Sequence, residues 1–164
     1  MRRVVVLGSG GSGKSRVAGE LGRRTGLPVV HLDRIFWAPG WRERPADDAA
    51  RDLRALVAGD EWILDGNFLN RLGGERLARA DAVVFLDLPR LTCLRRALWR
   101  RVRNEDRPDL PDGCPEQFDL AFYRWIWRFP REDRPEILRL LEGLDADVHR
   151  LRSRAEVERY LESV

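Results

Sequence analysis

The stretch "VVVLGSGGSGKSRVAGEL", residues 4–21, carries two phosphate-binding patterns at once. Gly8, Gly10 and Gly13 form the G-x-G-x-x-G of a dinucleotide fold, whereas Gly8, Gly13, Lys14 and Ser15 form the G-x-x-x-x-G-K-S of a P-loop. The cations elsewhere in the chain decide between them. Of 30 basic residues, 29 are arginine, and the only lysine is Lys14. In a P-loop a slim ammonium must reach the β- and γ-phosphates, where the bulkier planar fork of arginine is no simple substitute. By chance a lone lysine would land there in about one of 30 placements. The P-loop reading prevails, and with no second lysine there is no N-K-x-D motif through which a GTPase would read guanine.

The bulk numbers agree. A chain of 164 residues suits one domain and is too short for a nucleotide domain plus a separate catalytic domain, which weighs against a dinucleotide-dependent oxidoreductase. Hydrophobic and charged fractions of 43% and 35% are ordinary for a soluble globular protein. No apolar run nears the length of a membrane span, and the N-terminus leads straight into a strand, so a cytoplasmic protein without a membrane partner is expected. Cys93 and Cys114 fit neither a disulfide framework nor a metal-ligand spacing and read as two reduced thiols. A net charge of +3, from 30 basic and 27 acidic residues, points only weakly to nucleic acid.

Along the chain, strands alternate with helices. "RVVVL" at residues 3–7 reads as a buried strand, and a helix follows from about Lys14 to Arg24, stopped by Gly26 and Pro28. "PVVHL" reads as a second strand with Asp33 at its end, "EWILDGN" as a third with Asp65, "DAVVFLDLP" as a fourth and "ADVHRL" as a fifth. "PADDAARDLRALVAGD" and "LTCLRRALWRRVR" have helical spacing, two helical pieces flank "RFPREDRP", and a last helix starts at Ser153 or Arg154. Such alternation predicts a parallel sheet covered on both faces, with ligands at the carboxyl ends of its strands. The Gly-rich loop, Asp33 and Asp65 all fall at such ends.

The residues support a set of candidate roles. Backbone N–H groups of Gly10, Gly11, Ser12, Gly13, Lys14 and Ser15, after the turn at Gly8, would cradle phosphates; Lys14 would bridge them and the Ser15 hydroxyl would reach Mg²⁺. Asp33 would orient an acceptor hydroxyl or take its proton, or else cap the following turn. Asp65 would hold Mg²⁺ through water, with Asp87 as the rival acidic strand end. His31 reads as structural. Arg96 and Arg100 lie four apart, on one helix face. Phe36, Trp37, Trp41 and Phe68 suit either stacking on a planar substrate or helix packing.

The segments "LGSGGSGKS", "HLDRIFWAPGW", "EWILDGNF", "FLDLPRLTCLRRAL", "WIWRFPR" and "LRSRAEVERYL" resemble the adenylate-kinase-like P-loop kinases, and among them the topology modulation proteins. The resemblance implies a three-layer α/β fold with a five-stranded parallel sheet of order 2-3-1-4-5 and helices on both faces. It also implies one domain over residues 1–164 with a lid near 103–119, and an acceptor bound between the second and third strands. The implied cofactors are ATP and Mg²⁺. It favours Asp65 over Asp87 for the metal, makes Arg96 and Arg100 catalytic with Lys14 and Asp33, and adds Arg16 and Arg152 to the nucleotide site. Arg128, Arg131 and Arg134 are further candidates for the transferring phosphate. Adenylate kinases carry D-G-F-P-R after the third strand; here Asp65-Gly66-Asn67-Phe68 stands there and the next arginine is Arg71, which weighs against AMP as acceptor. Cys114 stands alone, so no zinc lid is expected. Transfer of the γ-phosphate to a small molecule, nucleotide-like or other, is the first functional reading. A nucleic-acid-associated ATPase is the second, and an oxidoreductase fragment the third.

Overall fold

The structure, a computed structural model, describes residues 1–71, 73–103, 109–115 and 118–164. Strand β1 (Arg3–Gly8) is the centre of a parallel sheet, paired with β5 (Trp62–Asp65) on one side and β6 (Ala82–Leu86) on the other. Outside these lie β2 (Val29–His31) against β5 and β7 (Asp147–Leu151) against β6. Counted within this sheet alone, the strand order is 2-3-1-4-5, as expected.

The central strand is apolar throughout because both its faces are covered. Val5 and Leu7 point into one core, with Leu53, Leu77 and Ile137. Val4 and Val6 point into the other, with Val17, Leu21 and Tyr160. This is the period-two alternation of a strand buried on both sides. The first core is covered by α2 (Leu32–Phe36), α3 (Ala46–Ala58), α4 (Gly73–Arg79) and α7 (Arg134–Glu142); the second by α1 (Lys14–Thr25) and α8 (Arg154–Glu162). A third cluster, of Leu88, Cys93, Ala97, Tyr123 and Ile126, joins α5 (Arg90–Arg103) to α6 (Leu120–Glu132). Among the described residues, no helix is long and apolar enough to cross a membrane.

The sheet register brings the strand ends level. His31 and Val6 both stand opposite Asp65, and Gly8 stands opposite Leu86. Everything that follows these residues is therefore delivered to one edge.

Several local details differ from the sequence reading. The second strand ends at His31, and Leu32 and Asp33 open the short helix α2, so Asp33 stands in a first helical turn instead of at a strand end. Leu32, Ile35 and Phe36 are buried, and the 3.6-residue spacing of that apolar face wins over the β-branched run before it. A two-stranded hairpin, β3 (Trp37–Ala38) with β4 (Arg42–Glu43), follows it. Helix α6 runs through Pro130 to Glu132. That proline falls in the last turn, where the helix stops soon after.

One buried group stands out. Arg76 on α4 is fully buried, and none of its guanidinium nitrogens has a hydrogen-bond partner among the described residues. Burial alone pushes its pKa down to about 10. A buried charge without a partner opposes folding, and replacement by an apolar side chain of similar length removes that cost. Arg76→Met is expected to raise the unfolding free energy, measured in urea, by about 1 kcal/mol or more. A clear loss of stability would show instead that the guanidinium is engaged.

Candidate active site

The loop between β1 and α1 is shaped by what it touches. Ser12 N–H donates to Ser9 O at 3.2 Å, and Val17 N–H to Gly13 O at 3.0 Å, which starts the helix. Gly11 has φ 73, and a Cβ there would come within 2.2 Å of Cys93 O on α5. The loop can press against that helix only because position 11 has no side chain. A Cβ on Gly10 would meet the Phe122 ring at 2.6 Å, so α6 closes over the same loop from another side. Gly13 provides the left-handed turn, with φ 96, from which α1 departs.

Lys14 Nζ donates to Ser9 O at 3.1 Å across the loop. Burial lowers the pKa of this ammonium; Asp65 and Asp33, followed by Cys93, push it back up, and Arg100 adds a small lowering effect. The cation is thus supported mainly by the two acids and opposed by its burial. Asp65, 5% exposed, is hydrogen-bonded through Oδ2 to His31 Nδ1 at 2.8 Å, while its Oδ1 is buried with no hydrogen-bond partner among the described residues. His31, read as structural from sequence, therefore fixes the Asp65 carboxylate. Ser15 and Asp65 line one cleft with Lys14. Among the described residues, no three His, Cys, Asp or Glu side chains gather as a metal cage. An ion such as Mg²⁺, which keeps several waters and takes few protein oxygens, suits the orphaned Oδ1 better than a cage would.

The cleft, about 1480 Å³, contains Gly10, Gly11, Ser12, Gly13, Lys14, Ser15, Arg16, Asp33, Asp65, Arg96 and Arg100 in its lining. Gly8 lies just behind it, where Asn67 pairs with both its backbone groups: Gly8 N–H donates to Asn67 Oδ1 at 3.0 Å, and Asn67 Nδ2 donates to Gly8 O at 2.9 Å. Arg96 Nη1 donates to Ser12 O at 3.3 Å. Other predicted arginines are placed elsewhere. Arg152 is absent from this lining and stands in a separate hollow with Asp87, because the turn into α8 holds its N–H on Glu156 Oε2 at 2.7 Å. Arg134 and Arg150 both clamp Asp87, at 2.8 Å and 2.6 Å, which makes that acid a structural one. Arg128 pairs with Glu132 at 3.6 Å.

Trp37, Trp41 and Phe68 line the cleft; Phe36 is buried and stacks on Phe68 at 4.4 Å. Of the expected lid at 103–119, residues 104–108 and 116–117 lie outside the described residues. In the described part Asp112, Gly113, Pro115, Phe118 and Asp119 are exposed, but the segment is docked at other points. Asp109 and Cys114 are buried, Gly40 N–H donates to Gly113 O at 2.8 Å, and Trp41 Nε1 donates to Pro115 O at 3.0 Å. Gly113, at φ 71, brings this segment so near the hairpin that a Cβ would lie 2.8 Å from Pro39 Cβ. The resemblance that implies a lid here gives no sign that the segment docks on β3 and β4. Phe122 and Asn67 were likewise missed; only the departure of "DGNF" from the kinase pattern marked the second.

No protein-family model matches the chain, and no curated protein matches its sequence. Solved structures do. A shikimate kinase from Acinetobacter baumannii in complex with shikimate is similar over 99% of this chain and 90% of its own, with a TM-score of 0.69 and 14% identity. A shikimate kinase from Bacteroides thetaiotaomicron gives 0.60 and 16%, covering 99% and 95%. A sugar kinase from a Janibacter species gives 0.53 and 22%, covering 99% and 93%. At these identities the likeness establishes the fold. The chain has the three-layer P-loop kinase fold.

The paired bonds between Asn67 and Gly8 yield a sharp test. Asn67→Asp preserves shape but replaces the donor to Gly8 O with a second acceptor. It is expected to cost about 1–3 kcal/mol in urea unfolding, as when a buried acceptor loses its partner. A variant as stable as wild type would show that the pairing does not anchor the loop.

Proposed function

We propose that this protein is an ATP-dependent phosphotransferase that moves the γ-phosphate of Mg-ATP to a hydroxyl of a small molecule, within the topology modulation group of adenylate-kinase-like proteins. The observation that carries the reading is the sole lysine, seated in the loop and flanked by Asp65 and Asp33 in a cleft with room for a second ligand. Phosphoryl transfer asks a protein mainly to position groups and to neutralise charge, and this cleft has parts for both.

In this reading the loop N–H groups hold the β- and γ-phosphates, and Lys14, Arg96 and Arg100 offset the charge that develops between them. Mg²⁺, bound by Ser15 and through water by Asp65, would screen the phosphates. Asp33, in the first turn of α2, orients the acceptor hydroxyl and takes its proton as oxygen attacks phosphorus and the bond to the β-phosphate oxygen breaks. The segment near 103–119 serves as the lid. Because its described part is pinned to the hairpin that carries Trp37 and Trp41, lid and acceptor wall would close together and exclude water.

The roles separate under mutation. Lys14→Ala is expected to lower ADP production from Mg-ATP by about 10²-fold or more, the scale of a lost electrostatic stabiliser. Equal turnover by mutant and wild type would end the reading. Asp65→Asn should shift the Mg²⁺ dependence, and Asp33→Asn should depress transfer while ATP affinity stays near wild type. Titrating ATP and Mg²⁺ separately checks both; loss of ATP binding in Asp33→Asn contradicts its assignment to the acceptor.

A further inference from the structure

Helix α5 has one flank that none of these roles uses. Its residues Cys93 and Ala97 face the loop, and Leu94 packs into the cluster shared with α6. Trp99 is five residues beyond Leu94, hence about 140° around the helix, on the flank turned away from α6. It lines the cleft and is 57% exposed. Among the described residues, no other large apolar side chain in that lining is as exposed. Arg96, one turn before it, donates to the loop at Ser12 O, and the Arg103 guanidinium lies 5.2 Å from the centre of its ring.

The same cleft is also lined by Arg16 on α1 and by Val157 and Leu161 on α8. Phe122 and Ile126 close the Gly10 side of the loop. A nucleotide whose phosphates lie on the loop has Trp99 and the α8 residues beside it in the same lining. The geometry points to Trp99 as the stacking platform for the nucleobase of a bound nucleoside triphosphate, a residue that positions the nucleotide without touching its phosphates. The inference rests on the phosphotransferase reading and adds to it the nucleobase site. An indole face accepts any base plane, so the contact supplies affinity more than base selectivity.

The test compares two ligands on the full chain. Dissociation constants for Mg-ATP and for Mg-tripolyphosphate are measured by calorimetry on wild type, Trp99→Ala and Trp99→Phe. Trp99→Ala is expected to weaken ATP about tenfold while tripolyphosphate stays within about twofold, with Trp99→Phe between them for ATP. Equal ATP affinity in wild type and Trp99→Ala overturns the proposal, as does an equal weakening of both ligands, which marks a structural role. Wild type that binds tripolyphosphate but not ATP also overturns it and leaves the loop's phosphate role standing. Binding of neither ligand removes the phosphotransferase reading as well.

Discussion

The close approach of the loop at Gly11 to the backbone of α5 is the constraint on which the site depends. A side chain at that position would overlap Cys93 O, so only glycine lets the two surfaces meet. From that contact follows the placement of Arg96, which reaches Ser12 O, and of Arg100, which lines the cleft, because their helix lies directly on the loop. The same glycine-rich turn leaves Gly10 against Phe122, so α6 is pulled over the loop too. On the sheet side the turn is fixed by Asn67, whose amide pairs with both backbone groups of Gly8. Backbone packing on one side and an amide clamp on the other hold the N–H groups where an anion can find them, with no reorganisation needed at the moment of binding.

Electrostatics then divides the cleft. Lys14 is penalised by burial and supported by Asp65 and Asp33. Asp65 is oriented through one oxygen by His31, while the other is buried without a partner among the described residues. An unpaired buried carboxylate oxygen is costly, and such groups in native folds commonly mark a place for an ion or water. Asp87, at the end of the neighbouring strand, shows the contrast. Two arginines occupy it, and it is tied into the frame joining β6, α7 and β7.

The sheet and the loop were legible because each rests on a local signal. "RVVVL" followed by a glycine, and an isolated lysine in the right register, state a buried parallel strand and a phosphate loop with few alternatives. What stayed hidden depends on contacts far apart in sequence. Asp33 looked like a strand end because "PVVHL" is β-prone, yet burial of Leu32, Ile35 and Phe36 turns the chain into a helix one residue earlier. Arg152 looked like a nucleotide residue by resemblance, but the turn into α8 sends it to the Asp87 hollow, while Arg154 and Val157 face the cleft. In a chain with 29 arginines no spacing rule could tell which guanidiniums pair with structural acids and which reach the loop. The docking of 109–115 on the hairpin was invisible for the same reason: its bonds, from Gly40 N–H to Gly113 O and from the Trp41 indole to Pro115 O, end on backbone carbonyls that any sequence has.

The central claim is that this cleft delivers a phosphoryl group to a small molecule. The most direct measurement follows the fate of ATP radiolabelled at the γ-phosphate, incubated with Mg²⁺ and the protein in the presence of pooled nucleosides, sugars and hydroxy acids, and in parallel with DNA. Label recovered in an organic phosphate ester that depends on the metabolite pool is the predicted result. Release of label only as inorganic phosphate, unchanged by metabolites and stimulated by DNA, would contradict the account and make the protein a nucleic-acid-associated ATPase.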